Sequence, residues 1–205
     1  MRCRPALLLA LVALAMPLAA QRAETDLDIS YGARDGQRRI AGMASRLWPL
    51  FGGLVYLGGG ARVTVYDGDP VAFARVDGDP GGPVGDVRFA PKVLGATLQA
   101  TAEVELWRGV RAGGNLDLVG YASGGEVSTP AGTARVDGPS LFQNGSADRG
   151  SLNSEAYLAL RLSPNLALRG GVSHYVVGYE ISSIEGTSRY QRFFDVTFLA
   201  VRYRF

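Results

Sequence analysis

VLGATLQATAEVELW, residues 93–107, puts Leu94, Ala96, Leu98, Ala100, Ala102, Val104 and Leu106 at even positions and Thr97, Gln99, Thr101, Glu103 and Glu105 at odd ones. Successive side chains of a strand point to opposite faces. The stretch therefore has one wholly apolar face and one that carries two carboxylates. Its length suits a strand that crosses a bilayer, where about 9 to 11 tilted residues are needed.

The flanking sequence repeats the design. VRAGGNLDLVGYAS, from Val110, sets Val110, Ala112, Leu116 and Leu118 against Arg111, Asn115 and Asp117. SLNSEAYLALRL, from Ser151, sets Leu152, Ala156, Leu158, Leu160 and Leu162 against Asn153, Glu155, Tyr157 and Arg161. Further strands are expected over 26–33, 38–48, 54–66, 166–180 and 189–205, which makes eight. The 38–48 strand has arginines on both faces, and the Ser173–His174 region is uneven enough to suggest a bulge.

The connections alternate in length. Linkers 49–53, 108–109 and 163–165 are short, whereas 67–92 and 124–150 are long, and 181–188 is intermediate. Short turns on one side and longer loops on the other characterise outer-membrane barrels, with the short turns in the periplasm. A secreted β-sandwich would alternate too. Strand length and aromatics near strand ends, such as Trp48, Tyr203 and Phe205, favour the barrel.

The beginning of the chain fits that destination. In MRCRPALLLALVALAMPLAAQ, two arginines precede an eleven-residue apolar run, Ala6 to Met16, then a proline and small residues. This order predicts a secretory signal peptide over 1–20, cleaved after Ala20, with a barrel domain over 21–205. Cys3, the only cysteine, lies in the leader, so the mature domain is expected to lack thiol chemistry. Removing Arg2 and Arg4 leaves 19 basic against 19 acidic residues, a balance that gives nucleic acid no electrostatic hold.

DVTFLAVRYRF, residues 195–205, places Leu199, Val201, Tyr203 and Phe205 on one face, with Arg202 and Arg204 on the other. This resembles the C-terminal β-signal of bacterial outer-membrane proteins, which the barrel-assembly machinery of that class recognises. The whole pattern is similar to small barrels of the OmpA/OmpX type. The fold expectation is thus all-β, an eight-stranded antiparallel transmembrane β-barrel in the cell outer membrane. The resemblance implies a structural, surface-binding or adhesion role through loops 67–92 and 124–150. Outer-membrane lipid, the assembly machinery and an extracellular ligand are its expected partners, with a monomeric state and no cofactor.

An eight-stranded barrel is just wide enough for side chains to fill it. The expected inward charges are Asp26, Asp28, Arg62, Glu103, Glu105, Arg111, Asp117, Glu155 and Arg161, a mixture that reads as a salt-bridge network. Arg111 is expected to pair with Glu103 or Glu105 across the 108–109 turn. A narrow channel is one alternative.

A lipid-modifying hydrolase is another, because small outer-membrane barrels include lipid A deacylases. The only histidine, His174, has Ser173 beside it and Glu180 six residues on. Adjacent strand residues diverge, however, so Ser173 and His174 meet only across a bulge. The deacylase pattern has His and Ser two residues apart, and position 176 is Val. In the loop DGDPVAFARVDGDPGGPVGD, Asp67, Asp69, Asp77 and Asp79 supply carboxylates of the kind that bind Ca²⁺, although the spacing is that of ordinary turns.

Overall fold

The computed structural model describes residues 23–79, 81–142 and 150–205. The leader falls outside them. The strands are β1 (Glu24–Arg34), β2 (Gln37–Leu50), β3 (Val55–Gly68), β4 (Val71–Gly78), β5 (Val87–Phe89), β6 (Lys92–Trp107), β7 (Val110–Ser123), β8 (Val127–Thr129), β9 (Gly132–Val136), β10 (Pro139–Leu141), β11 (Leu152–Arg161), β12 (Leu166–Ser183) and β13 (Gly186–Arg204). Eight of them, β1, β2, β3, β6, β7, β11, β12 and β13, pair antiparallel in that order. β13 then pairs with β1, from Asp26↔Arg204 to Ala33↔Thr197, and closes an eight-stranded barrel.

Each expected strand is present and most are longer. Inward positions are buried and hold most of the charged and polar side chains, together with Ala41, Met43, Leu47, Tyr157 and Phe198, while outward ones expose Leu, Ile, Val and Ala. On β2 the arginines sort by height as well as by face. Arg39 is buried inside, and the outward Arg38 and Arg46 meet Asp67 and the Trp48 ring near opposite ends of the strand. Between β6 and β7 the register steps from Leu98↔Val119 to Gln99↔Asp117, so Leu118 is an extra residue. That bulge turns both Leu118 and Val119 outward.

Two expectations about connections need correction. The 181–188 linker is a turn of two residues, because β12 and β13 pair up to Ser183↔Gly186. The β1–β2 connection at the same end is also tight, with Asp35 and Gly36 at φ 50 and 75. Both residues of a type I′ hairpin need positive φ, which Asp-Gly tolerates best. No bulge interrupts β12 at Ser173–His174 either, since its register with β13 is unbroken from Leu166↔Tyr203 onward.

Two of the four connections at that end are long, and they fold. β4 pairs with β13, and β5 with β4. β9 pairs with β12, and β8 with β9. β5 lies against β8, so β5, β4, β13, β12, β9 and β8 form a second, smaller ring stacked on the barrel. Its interior is Phe73, Val87, Phe89, Ala134, Val177, Tyr179, Ile181 and Tyr190, continuous with Tyr66, Val93, Tyr175 and Phe194 at the barrel mouth. Phe73 stacks on Phe89 at 4.4 Å and meets Tyr179 edge-on. An apolar core thus caps a charged lumen.

Candidate functional site: a charged lumen and an outward His–Asp pair

The lumen is organised around Glu155 on β11. Its Oε1 accepts from Arg39 Nη1 at 2.6 Å, and Oε2 accepts from Arg169 Nη2 at 2.9 Å and Asn115 Nδ2 at 2.8 Å. Arg62 stands 3.4 Å away and donates to Asp117 Oδ1 at 2.9 Å and to Asn115 Oδ1. Arg169 also donates to Asp28 at 2.5 Å, with its guanidinium 3.8 Å above the Tyr157 ring. Arg202 donates to Glu103 at 2.6 Å, and Tyr157 donates its hydroxyl to the same oxygen at 2.8 Å. An ion moved out of water costs several kcal/mol unless paired and hydrogen-bonded. Here each carboxylate meets at least one guanidinium.

The terminal end of the lumen holds a second layer. Arg111 donates to both oxygens of Glu24, at 2.7 and 3.1 Å, and lies 3.5 Å over the Tyr56 ring. Glu105 and Glu103 stand 3.3 and 3.4 Å from it. Arg204 bonds both oxygens of Asp26, at 2.8 and 3.0 Å. Gly113 makes room here, because a Cβ at that position would lie 2.8 Å from Glu103 and 2.9 Å from the Tyr157 ring.

Of the inward charges expected from sequence, Asp26, Asp28, Arg62, Glu103, Arg111, Asp117 and Glu155 are buried in this network. Glu105 is partly exposed at the rim, and Arg161 is more exposed, 3.8 Å from Glu105. Sequence reasoning left out Glu24, Arg39, Arg169, Arg202 and Arg204. Arg202 and Arg204 already stood on the polar face of the 195–205 alternation. Arg39 was masked by Arg38 beside it, and Arg169 by the glycines that follow.

Arg111→Ala should lower the stability of the refolded barrel by about 1–3 kcal/mol, the cost of charged hydrogen bonds lost from a buried site. Glu24 and Glu103 keep Arg204 and Arg202 as partners, which limits the loss. Urea unfolding followed by tryptophan fluorescence measures it, and an unchanged midpoint would contradict the pairing.

The other candidate residues do not assemble as one site. Ser173 points into the lumen and donates to Asn153 Oδ1 at 2.5 Å. His174 points outward, and Glu180 is paired in register with Arg189 further along β12. The four loop aspartates are also dispersed. Asp67 pairs with Arg38, Asp77 with Arg189, and Asp79 accepts from the Thr187 N–H, while the Asp69 N–H binds Gly36. Among the described residues no group of three or more acidic, His or Cys side chains is placed to hold a metal ion. Asp67 and Asp77 stand in strands β3 and β4, and Asp69 and Asp79 in the connections that follow them.

His174 is partnered from the neighbouring strand instead. Its Nδ1 lies 2.6 Å from Asp195 Oδ1 on β13, and its ring stacks on Phe193 at 5.4 Å. Both side chains are about half exposed on the outer wall, at 48% and 55%. Strand alternation alone does not reveal this pair, because the β12–β13 register is needed to align them.

Leu199, Val201, Tyr203 and Phe205 form one outward row, with the Tyr203 and Phe205 rings edge to face at 5.0 Å. No protein-family model matches the chain, and no curated protein sequence does. Among solved structures it is similar to Neisserial surface protein A (NspA), at 12% identity over 89% of this chain and 96% of that one, with a TM-score of 0.40. It is also similar to outer-membrane expressed OmpT of Vibrio cholerae, at 10% identity over 87% and 64% of the two chains, with a TM-score of 0.22.

Proposed function

We propose that this chain is an outer-membrane β-barrel protein whose folded cap is a surface-binding or adhesion head. The observation that carries the reading is the outer wall. Leu27, Ile29, Ile40, Val63, Leu98, Leu158, Leu160, Leu168 and Leu199 are all exposed on it. In water so large an apolar surface would drive aggregation; in lipid it is the ordinary exterior of a barrel.

Aromatic side chains bound this belt. Trp48, Phe51, Trp107, Tyr203 and Phe205 are exposed near the end that carries the chain termini, and Tyr31, Tyr121 and Phe193 near the cap. From Tyr203 to Phe193 along β13, ten residues at about 3.4 Å and a tilt near 40° span about 26 Å of membrane. This matches the apolar band of about 25 Å in such barrels.

The packed charges and the aromatic cap favour a closed lumen over a channel. A surface role then falls to the cap, built from the described parts of the 67–92 and 124–150 connections. Leu199, Val201, Tyr203 and Phe205 would be the row offered to the assembly machinery. No nucleic-acid role is proposed, and the chain is read as a monomer that needs no cofactor.

Single cysteines test the span and its direction. A thiol at Ile184, fully exposed at the tip of the β12–β13 hairpin, should react on intact cells with a membrane-impermeant maleimide. A thiol at Pro164, in the turn at the opposite end, should react only after the outer membrane is opened. Equal labelling of both in intact cells, or recovery of the protein in the soluble periplasm, would overturn the reading.

A further inference from the structure

The outward positions of the belt are apolar or small almost throughout, apart from Arg46 beside Trp48 and, towards the cap, a polar patch in which Asp195 lines one pocket with Arg34, Asp35 and Arg192. Asp195 on β13 pairs in register with His174 on β12, and His174 pairs with Ser154 on β11. Ser154 points outward because its neighbours Asn153 and Glu155 both point into the lumen, where each is hydrogen-bonded. Carboxylate, imidazole and hydroxyl thus stand in one row across three adjacent strands on the outer wall.

An ionisable group facing lipid is costly and by default marks a functional site. Asp195 lies eight residues from Tyr203 along β13, about 21 Å across the membrane by the same geometry. That depth is about 5 Å inside the Phe193 level by the same geometry, at the cap-side edge of the belt and next to the layer where the acyl carbonyls of membrane lipids lie.

From this geometry we infer that Ser154, His174 and Asp195 form a lipid-facing hydrolytic triad acting on an acyl ester of an outer-leaflet lipid. The Asp195 carboxylate holds His174 by Nδ1, which leaves Nε2 as the base, and Phe193 fixes the ring plane. Directly opposed strand residues have Cβ atoms about 4.5–5.5 Å apart, so Ser154 reaches Nε2 by side-chain rotation. Catalytic hydrogen bonds of this kind commonly tighten only when substrate is bound.

In the first half-reaction, Ser154 Oγ adds to the ester carbonyl carbon while its proton passes to His174 Nε2. The ester C–O bond then breaks, and the departing alcohol oxygen takes that proton. In the second, water loses a proton to Nε2 and adds to the acyl-serine carbonyl. The serine oxygen leaves with the proton and the fatty acid is released. The adjacent Ser173 takes no part, since it faces the lumen.

The inference rests on the membrane reading above, and its test separates the two. Refolded protein is incubated with vesicles of phosphatidylethanolamine and phosphatidylglycerol, and separately with vesicles containing lipid A. Released fatty acid is measured by mass spectrometry, and a fluorophosphonate probe, which phosphonylates an activated serine with loss of fluoride, reports the nucleophilicity of Ser154. Insertion is checked by heat-modifiable gel migration.

Release from either vesicle, with Ser154 labelled, is expected, and the productive arm identifies the lipid class. S154A and H174A should each lower turnover at least about a thousandfold, and the double variant should be no worse than either, as residues acting as one unit behave. H174A should also lose the label while migrating as a folded barrel. An inserted barrel that releases no acid from either vesicle and leaves Ser154 unlabelled would overturn the triad alone. Failure to insert would overturn the membrane reading with it.

Discussion

Glu155→Ala should cost the barrel about 3–5 kcal/mol, the range measured when one partner of a buried ion pair is removed. The carboxylate is the shared acceptor of Arg39 and Arg169, and Arg62 stands 3.4 Å from it. Truncation leaves Arg39 with the neutral Ser30 hydroxyl at 3.1 Å and the Phe198 ring 5.2 Å from its guanidinium. Arg169 and Arg62 keep Asp28 and Asp117, so Arg39 bears most of the penalty. Arg39→Ala with Glu155→Ala should therefore be less damaging than the two single losses added together, because residues in one network couple. Reversible urea unfolding in detergent measures all three. Additive losses would show that the Arg39–Glu155 contact contributes nothing beyond each side chain's own burial.

Phe73→Ala should have an effect of similar size, about 3–5 kcal/mol for a large aromatic removed from a packed core, but confined to the cap. Phe73 is fully buried and contacts Phe89, Tyr179 and Phe194. Its strand, β4, is held by β13 and by a three-residue β5. The barrel strands continue around their ring without it. Amide exchange should accelerate in β4, β5, β8 and β9, while β1, β2 and β3 stay protected. Loss of protection throughout the chain would mean that cap and barrel unfold as one unit.

The barrel was legible in the sequence because a closed barrel imposes a strict rule: an apolar outer wall and a filled lumen write period two into each strand. That rule made Glu103, Arg111, Asp117 and Glu155 readable as inward residues without any coordinates. It also separated Ser173 from His174. What it does not contain is register between strands. The Asp195–His174–Ser154 row exists only once β11, β12 and β13 are aligned, and the same holds for Arg39 reaching Glu155.

The cap was missed for a different reason. Its strands β5 and β8 have three residues each, too short for alternation to register, and they lie among DGD and GG turns that read as loop. Phe73, Phe89 and Tyr179 are far apart in sequence, and the apolar core they form is a tertiary fact. The tight turn at 184–185 was also obscured, because the outer halves of β12 and β13 follow cap packing and break the regular alternation of the barrel wall.

The most direct test of the whole account is a nitroxide scan along β6, placing a single spin label at each position from Leu94 to Leu106 in the reconstituted protein. Oxygen, which concentrates in the bilayer, should reach labels at Leu94, Ala96, Leu98, Ala100, Ala102 and Val104, and labels at Thr97, Gln99, Thr101 and Glu103 should be immobile and shielded. If instead the even positions are immobile and the odd ones contact water-soluble relaxants, the apolar face is a protein core and the chain does not cross a membrane.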